Sequence, residues 1–215
     1  MIGIYCPTLG RPDAPQKLVT SVAAATVFPH RVVFVVEDHD PVQFDAALAT
    51  GCLTLVNDYE PSYSNSIQTA FEQLPSEYFI AANDDFDFQP GWDTEALAAM
   101  ADGIDVVGVH DGSPGCRFTT ISLVRRSYVL ERSGVIDMPG RVFYPYRHNF
   151  ADDEFHGTAT AHGVFTAAPS SVVLHRHPDF GLAAEDATYQ KSRAQFGADA
   201  ATFGSRRHLW ESLAT

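Results

Sequence analysis

The strongest constraint on the fold is the alternation of short apolar runs with segments of helical periodicity through residues 1–110. Runs typical of buried strands are IGIYC, RVVFVVE, CLTLV and YFIAA, and the helix-type segments that follow them are APQKLVTSVAAA, PVQFDAALA, SNSIQTAFEQL and WDTEALAAM. In the third helical segment, Ile67, Ala70 and Phe71 fall on one face. Strands that alternate with helices of this size favour an α/β fold with a mostly parallel central sheet flanked by helices.

The pattern of residues 111–215 is less regular. The segment DGSPGCRF is rich in turn residues, TTISLV is strand-like, and GVIDMPGRVFYPY is typical of irregular structure. Further on, a helix is predicted at DDEFHGTATAHG, a strand at SSVVLHR, and helices at AEDATYQKSRAQF and SRRHLWESL. Because no linker divides residues 1–110 and 215 residues suit one core, we expect a single domain whose second half adds strands and covering helices to the first.

The charge of the chain limits its partners. Lys and Arg total 14 against 27 Asp and Glu, which gives a formal charge of −13. Phosphate backbones are bound mainly through Lys and Arg, so we expect no nucleic-acid partner, and a bound phosphate would need a metal cation. We also expect no membrane span, because no segment has the required length. Cys6, Cys52 and Cys116 are odd in number and lack CxxC spacing, which predicts reduced thiols in a cytoplasmic protein.

An unusual group of acids follows the fourth strand, in the stretch FIAANDDFDFQPGW. The apolar run ends at Asn83, Asp84 and Asp85. In open α/β sheets ligands bind beyond the carboxyl ends of the strands. Adjacent carboxylates repel unless a cation lies between them, and Mg²⁺ or Mn²⁺ prefers oxygen ligands. The pattern therefore indicates part of a metal site, although the same aspartates could simply cap the following turn.

The segment NDDFDFQPGW resembles the metal-binding DxD region of glycosyltransferases of the GT-A fold, and it is most similar to the family-2 group. In that family the motif ends a core strand and is often followed by a Pro-Gly-Trp-like turn. The resemblance implies a GT-A, Rossmann-like fold in which residues 1–110 bind the nucleotide sugar and residues 111–215 form the acceptor and catalytic half. It places Asn83 and Asp84 on the donor and Asp85 on the metal, although many members carry Asp at the position of Asn83.

Three earlier segments resemble the family in the same order. CPTLGRP is similar to its N-terminal strand and turn, VVFVVEDHD to its second strand end, and SYSNSIQTAFE to a helix that opens with Asn, without the glycine usual just before it. Taken alone, Glu37 and Asp38 could be ordinary polar residues at a strand end, and Arg11 could be an ordinary surface arginine. The resemblance implies that the following residues contact the nucleotide: Pro7, Thr8, Arg11, Glu37, Asp38 and Asn65.

The segment NFADDEFHGTATAHG resembles the region that holds the catalytic acid of the family. The resemblance selects Asp153 as the general base, with Asp152 as second choice and Glu154 as third. The alternative is structural, because negative charge stabilises the N-terminus of a helix.

Two histidines two residues apart, His175 and His177, would face the same side of a strand in VVLHRHP. Some GT-A enzymes use a histidine late in the chain as a metal ligand, so the resemblance makes either one a candidate beside Asp85. A zinc site is a rival interpretation, but the sequence has no HExxH helix and no cysteine pair. A purely structural role for each histidine also remains open.

These features together predict an enzyme, a hexosyltransferase-like glycosyltransferase that depends on Mn²⁺ or Mg²⁺. It would transfer a sugar from a nucleotide diphosphate donor, with a UDP-sugar favoured, to an acceptor hydroxyl. Inversion is expected, and retention stays open because the GT-A fold hosts both outcomes. One alternative is a sugar nucleotidyltransferase, because LGRPDAPQKL faintly resembles the signature of that class but lacks GGxG. Another is a non-catalytic module that binds nucleotide sugars or carbohydrate.

Overall fold

The structure, a computed structural model, describes residues 1–213. Within these residues eight strands form one sheet: β1 (Ile2–Pro7), β2 (His30–Val36), β3 (Leu53–Val56), β4 (Tyr78–Ala81), β5 (Phe86–Phe88), β6 (Val106–His110), β7 (Ser122–Arg125) and β8 (Phe165–His175). The helices are α1 (Ala14–Ala25), α2 (Pro41–Ala49), α3 (Tyr63–Gln73), α4 (Trp92–Ala99), α5 (Arg126–Arg132), α6 (Ala151–Ala161), α7 (Ala187–Arg206) and α8 (His208–Glu211).

The strand order is β3-β2-β1-β4-β7-β6-β8-β5. Strands β1 to β4 are mutually parallel, and β6 is parallel to β8. Strand β7 runs antiparallel to both β4 and β6, and β5 runs antiparallel to β8. The predicted α/β class with a mostly parallel central sheet is confirmed, and the second half of the chain adds strands to the sheet as expected.

The central strands are apolar throughout because both faces of the sheet are covered. In β1, Ile4 belongs to the core on one face and Tyr5 to the core on the other. Helix α1 packs on the first of these cores through Leu18 and Val22, which lie four residues apart and so share one face.

The predicted bounds of α1 and α2 are confirmed, whereas three short elements were not predicted: β5, β6 and α5. Strand β5 has only three residues, and its pairing with β8 is a long-range contact. Strand β6 contains Gly108, where a Cβ would lie 2.4 Å from the backbone oxygen of Phe118. Close packing therefore requires glycine here, although glycine is unfavourable inside a strand. Helix α7 and strand β8 extend beyond their predicted segments.

The topology brings several chain segments to the carboxyl edge of the sheet. The ends of β1, β2 and β4 lie there together, because these strands are parallel neighbours. Strand β8 ends at the same place, because its last residue, His175, pairs with Phe86 directly after Asp85. None of the helices in residues 1–213 is both long enough and apolar enough to cross a membrane.

Candidate active site

A cleft of about 180 Å³ opens at the carboxyl edge of the sheet. Its walls come from the ends of β1, β2, β4 and β8, from the start of α3, and from the first turns of α7. Most of the residues predicted to bind donor or metal line this cleft: Pro7, Thr8, Arg11, Glu37, Asn83, Asp84, Asp85, His175 and His177.

Asp84 has partners for both of its carboxylate oxygens. Nη1 of Arg11 donates to Oδ1 at 2.8 Å, and the hydroxyl of Thr8 donates to Oδ2 at 2.8 Å. Arg11 can reach back over the strand end because Gly10 adopts a left-handed conformation, φ 65°. Burial raises the pKa of Asp84 to about 6, although Arg11 and Thr8 act in the opposite direction. Asp84 therefore anchors the β1 loop to the end of β4.

Asp85 keeps one buried oxygen without a partner. Its Oδ2 accepts a hydrogen bond from the hydroxyl of Tyr189 at 2.7 Å. Its Oδ1 accepts no hydrogen bond of good geometry and is in ion-pair contact with Nε2 of His175 at 3.4 Å, while Nδ1 of His175 is buried and has no hydrogen-bond partner. Burial alone would raise the pKa of Asp85, but the contacts with His175, Tyr189 and Arg11 outweigh it and lower the pKa.

A carboxylate oxygen and an imidazole nitrogen of this kind fit the donor set of a divalent cation. Buried polar atoms are almost always hydrogen-bonded, so the unpartnered Oδ1 of Asp85 in a polar cleft is consistent with a ligand-binding role. Mn²⁺ and Mg²⁺ accept carboxylate ligands, and Mn²⁺ also accepts imidazole. His177 lies beside His175 with ring centroids 5.1 Å apart, but its Nδ1 accepts the backbone N–H of Asp179 at 3.2 Å. Asp85 and His175 are therefore the residues best placed to hold a cation.

The residues predicted to bind the nucleoside separate in the structure. Glu37 lines the cleft, and its carboxylate accepts a hydrogen bond from Nδ2 of Asn57 at 3.1 Å. The Asp38 side chain is 85% exposed and lies outside the cleft wall. Asn65 also lies outside the wall, where its Oδ1 accepts from Arg141 at 2.6 Å and its Nδ2 donates to the carbonyl of Glu60.

The acids at the start of α6 have different surroundings. Asp153 forms an ion pair with Arg117, Nη2 to Oδ1 at 3.2 Å. Burial, together with the charge of Asp153, raises the pKa of Asp152 to about 7. Neither acid is part of the cleft wall itself.

Glu154 is almost fully buried. It accepts from the hydroxyl of Tyr146 at 2.6 Å and forms an ion pair with Arg206 at 2.8 Å. Its position holds α6 against α7, away from the cleft.

Helix α7 supplies site residues that the sequence analysis did not single out. Asp186 caps the helix by accepting from the backbone N–H of Thr188 and Tyr189, and it also accepts from Nε of Arg11 at 2.8 Å. The Arg11 guanidinium lies 4.2 Å from the centre of the Tyr189 ring. An Asp before a helical segment is a recognisable capping signal, but its contact with Arg11 crosses almost the whole chain.

The same helix fixes the loop that precedes α6. The carboxylate of Asp199 accepts the backbone N–H groups of Arg147, His148 and Asn149 at 2.9–3.1 Å. Arg147 and His148 line the cleft opposite the strand ends. Helix α7 thus connects the strand edge, through Asp186 and Tyr189, with the segment that leads into Asp152.

A further group of metal-ligating side chains lies at the end of β6. Each of His110, Asp111 and Cys116 offers one ligand atom, and these three atoms lie within 4.8 Å of one another. Two of these side chains also make local hydrogen bonds, because Nδ1 of His110 accepts from the backbone N–H of Gly112 and Oδ1 of Asp111 accepts from that of Ser113. Burial raises the pKa of the Cys116 thiol, so the group is suited to stabilising its loop.

Comparisons with known proteins give likeness in structure but not in sequence. No protein-family model matches the chain, and no curated protein matches it. Glucosyl-3-phosphoglycerate synthase from Mycobacterium tuberculosis, solved with Mn²⁺, UDP-glucose and phosphoglyceric acid, superposes with a TM-score of 0.61 at 10% identity. The match covers 82% of this chain and 72% of the synthase.

Two other solved structures agree with this result. The same synthase with Mg²⁺ and UDP gives a TM-score of 0.60 at 11% identity, covering 82% of this chain and 72% of that one. A mycobacterial protein gives 0.62 at 12% identity, covering 82% of this chain and 68% of that one. At identities this low the superpositions show the fold alone. They show that the chain has the GT-A fold that its sequence resemblance implied.

Proposed function

We propose that the protein is a metal-dependent glycosyltransferase that transfers a sugar from a nucleotide diphosphate donor to an acceptor hydroxyl. The observation that carries this proposal is the buried, unpartnered Oδ1 of Asp85 beside Nε2 of His175, in a cleft at the carboxyl edge of the sheet. The synthase of the same fold binds UDP-glucose with Mn²⁺, which makes UDP-sugars the first donors to test. The free thiols of Cys6, Cys52 and Cys116 support the predicted cytoplasmic location.

The donor nucleoside is assigned to the part of the cleft between the ends of β1 and β2 and the start of α3. Glu37 lies there, and its carboxylate can accept from ribose hydroxyls or from a base N–H. Asp38 and Asn65 stay predictions from the resemblance, because both side chains lie outside the cleft wall. Glu37 is therefore the residue to which we assign donor orientation.

Mn²⁺ or Mg²⁺ would be held by Asp85 and His175, and His177 is the next candidate ligand. When bound, the cation neutralises the charge that develops on a diphosphate leaving group. Burial lowers the pKa of His177, which keeps its imidazole neutral and able to act as a ligand. Asn83 and Arg11 border the same end of the cleft and can contact the phosphates or the sugar.

We assign the removal of the proton from the acceptor hydroxyl to an aspartate at the start of α6. The resemblance favours Asp153, which forms an ion pair with Arg117, whereas burial and the charge of Asp153 raise the pKa of Asp152 to about 7. A pKa near neutrality also suits a general base. We therefore place Asp152 first and Asp153 second. With such a base we expect inversion of the anomeric centre, and the anomeric configuration of the product decides between inversion and retention.

Calorimetry with UDP tests the proposal most directly. UDP should bind the wild-type protein more tightly in Mn²⁺ than in EDTA, and Asp85→Asn should remove most of that difference. Equal affinity in both buffers would contradict the metal-dependent mechanism. Release of pyrophosphate from a nucleoside triphosphate and a sugar phosphate would instead identify a nucleotidyltransferase. Tight binding of UDP-sugars with neither hydrolysis nor transfer would identify a binding module.

A further inference from the structure

The unpartnered oxygen of Asp85 depends on a residue from the far end of the chain. The Tyr189 hydroxyl donates to Oδ2 of Asp85 at 2.7 Å, while Nη1 of Arg11 lies 3.8 Å from the same oxygen. Tyr189 thus donates to Oδ2, whereas Oδ1 accepts no hydrogen bond and is the oxygen more open to a further partner. This second oxygen lies beside His175.

Tyr189 is itself held firmly in place. Its side chain is almost fully buried, with the Arg11 guanidinium 4.2 Å from the ring centre and the His177 ring packed edge-on at 4.8 Å. The hydroxyl has a single proton, and its other acceptor, the carbonyl of Arg176, is more distant at 3.3 Å. The shorter contact to Asp85 is therefore the one that takes the proton.

We propose that Tyr189 is a positioning residue for a divalent cation at Asp85. Its hydroxyl holds Oδ2, so that Oδ1 is presented to the cation next to Nε2 of His175, and it keeps the carboxylate from turning onto Arg11. This inference rests on the proposed function, since it assumes that Asp85 is a metal ligand.

Tyr189 is needed in this role because the cation and the Arg11 guanidinium compete for the carboxylate of Asp85. A free carboxylate that lies 3.8 Å from a guanidinium gains energy by closing to a hydrogen-bonded ion pair. In that arrangement the oxygens of Asp85 would point to Arg11 rather than to the cation. Outer groups that orient a metal ligand change metal affinity by about 10–100-fold.

The test is Tyr189→Phe, which removes one oxygen and keeps the ring that packs on Arg11 and His177. A Mn²⁺ titration followed by EPR should show the Kd for Mn²⁺ raised by about 10-fold or more. The unfolding midpoint is measured beside it, because a merely structural role would lower the midpoint and leave the Kd for Mn²⁺ at its wild-type value. The matched control is Tyr59→Phe, because Tyr59 donates to the carboxylate of Glu72 at 2.8 Å away from the cleft.

Asp85→Asn separates failure of this inference from failure of the proposed function. If wild type binds Mn²⁺, Asp85→Asn does not, and Tyr189→Phe binds as tightly as wild type, the metal site stands and the role of Tyr189 is overturned. If wild type and Asp85→Asn bind Mn²⁺ equally poorly, both proposals are overturned. A weaker affinity in Tyr189→Phe together with a wild-type affinity in Tyr59→Phe supports the role of Tyr189.

Discussion

Two Asp-Asp pairs, one after β4 and one at the start of α6, have the same sequence and different surroundings. In each pair one acid meets an arginine: Asp84 pairs with Arg11, and Asp153 pairs with Arg117. The pKa of Asp85 is lowered, because contacts with His175, Tyr189 and Arg11 outweigh its burial. The pKa of Asp152 is raised, because burial and the neighbouring charge of Asp153 dominate.

This difference is our reason for proposing opposite roles for two residues, Asp85 and Asp152, that the sequence alone cannot tell apart. A carboxyl that stays ionised at low pH suits a cation ligand, whereas one whose pKa lies near neutrality suits a proton acceptor. The surroundings decide the role, because donors and positive groups reach Asp85 from three separate segments of the chain. For Asp152 the largest effect of a neighbouring charge comes from a second carboxylate, that of Asp153.

The largest effect is expected at Asp85. Asp85→Asn should lower the rate of sugar transfer by more than about 10²-fold, because charge neutralisation at the leaving group is worth several kcal/mol. Steady-state transfer from UDP-glucose at saturating Mn²⁺ measures it.

Asp84→Asn is the matched control within the same pair. Asp84 already has partners for both oxygens, so this variant should keep the dependence on Mn²⁺. Loss of the Mn²⁺ dependence in Asp84→Asn, with Asp85→Asn unaffected, would reverse the assignment of the two acids.

The second effect concerns the α6 pair. Asp152→Asn keeps the shape of the side chain and removes its basicity, so the transfer rate should fall by about 10²-fold or more, while binding of UDP with Mn²⁺ survives. Asp153→Asn should have a smaller effect, because Asp153 is paired with Arg117. The single-turnover transfer rates of the two variants show which of the two acids contributes more to the reaction. A wild-type rate for Asp152→Asn beside a slow Asp153→Asn would restore the assignment that the family resemblance favours.

The pH dependence sharpens the same comparison. Below its pKa of about 7, Asp152 carries a proton and cannot accept another, so kcat should rise with pH through about 7 and then level. The inflection should disappear in Asp152→Asn and persist in Asp153→Asn. NMR of the product gives the second check, since a base in this position predicts an inverted anomeric configuration.

The sequence was sufficient to predict which residues meet at the carboxyl edge of the sheet. It was insufficient to predict the contacts that residues at the start of α7 make with them. Parallel strands bring their carboxyl ends together, so the proximity of Thr8, Glu37 and Asp85 followed from the alternation of strands and helices. Strand β5 could also have been predicted, because Phe86 and Phe88 alternate with Asp87 at the period of a strand.

Tyr189 and Asp186 could not be predicted, because their partners lie over 100 residues away and no local pattern encodes such contacts. Which α6 acid turns inward also depends on tertiary packing. Phe150 starts the helix in a left-handed conformation, φ 68°, and its ring stacks on Phe203 of α7 at 5.0 Å. A bulky residue adopts this conformation only when its surroundings hold it there.

The smallest effect is expected at Asp186, the second carboxylate on Arg11. Its side chain is 41% exposed, so the ion pair with Arg11 should contribute at most about 1 kcal/mol, and less in high salt. Asn also caps helices well, so Asp186→Asn should change the free energy of unfolding only by the value of that ion pair. Asp186→Ala loses the cap as well and should cost about 1 kcal/mol more. Urea unfolding at low and high salt measures both terms. If Asp186→Asn costs as much as Asp186→Ala at high salt, the contact with Arg11, rather than the helix cap, fixes the first turn of α7 over the cleft.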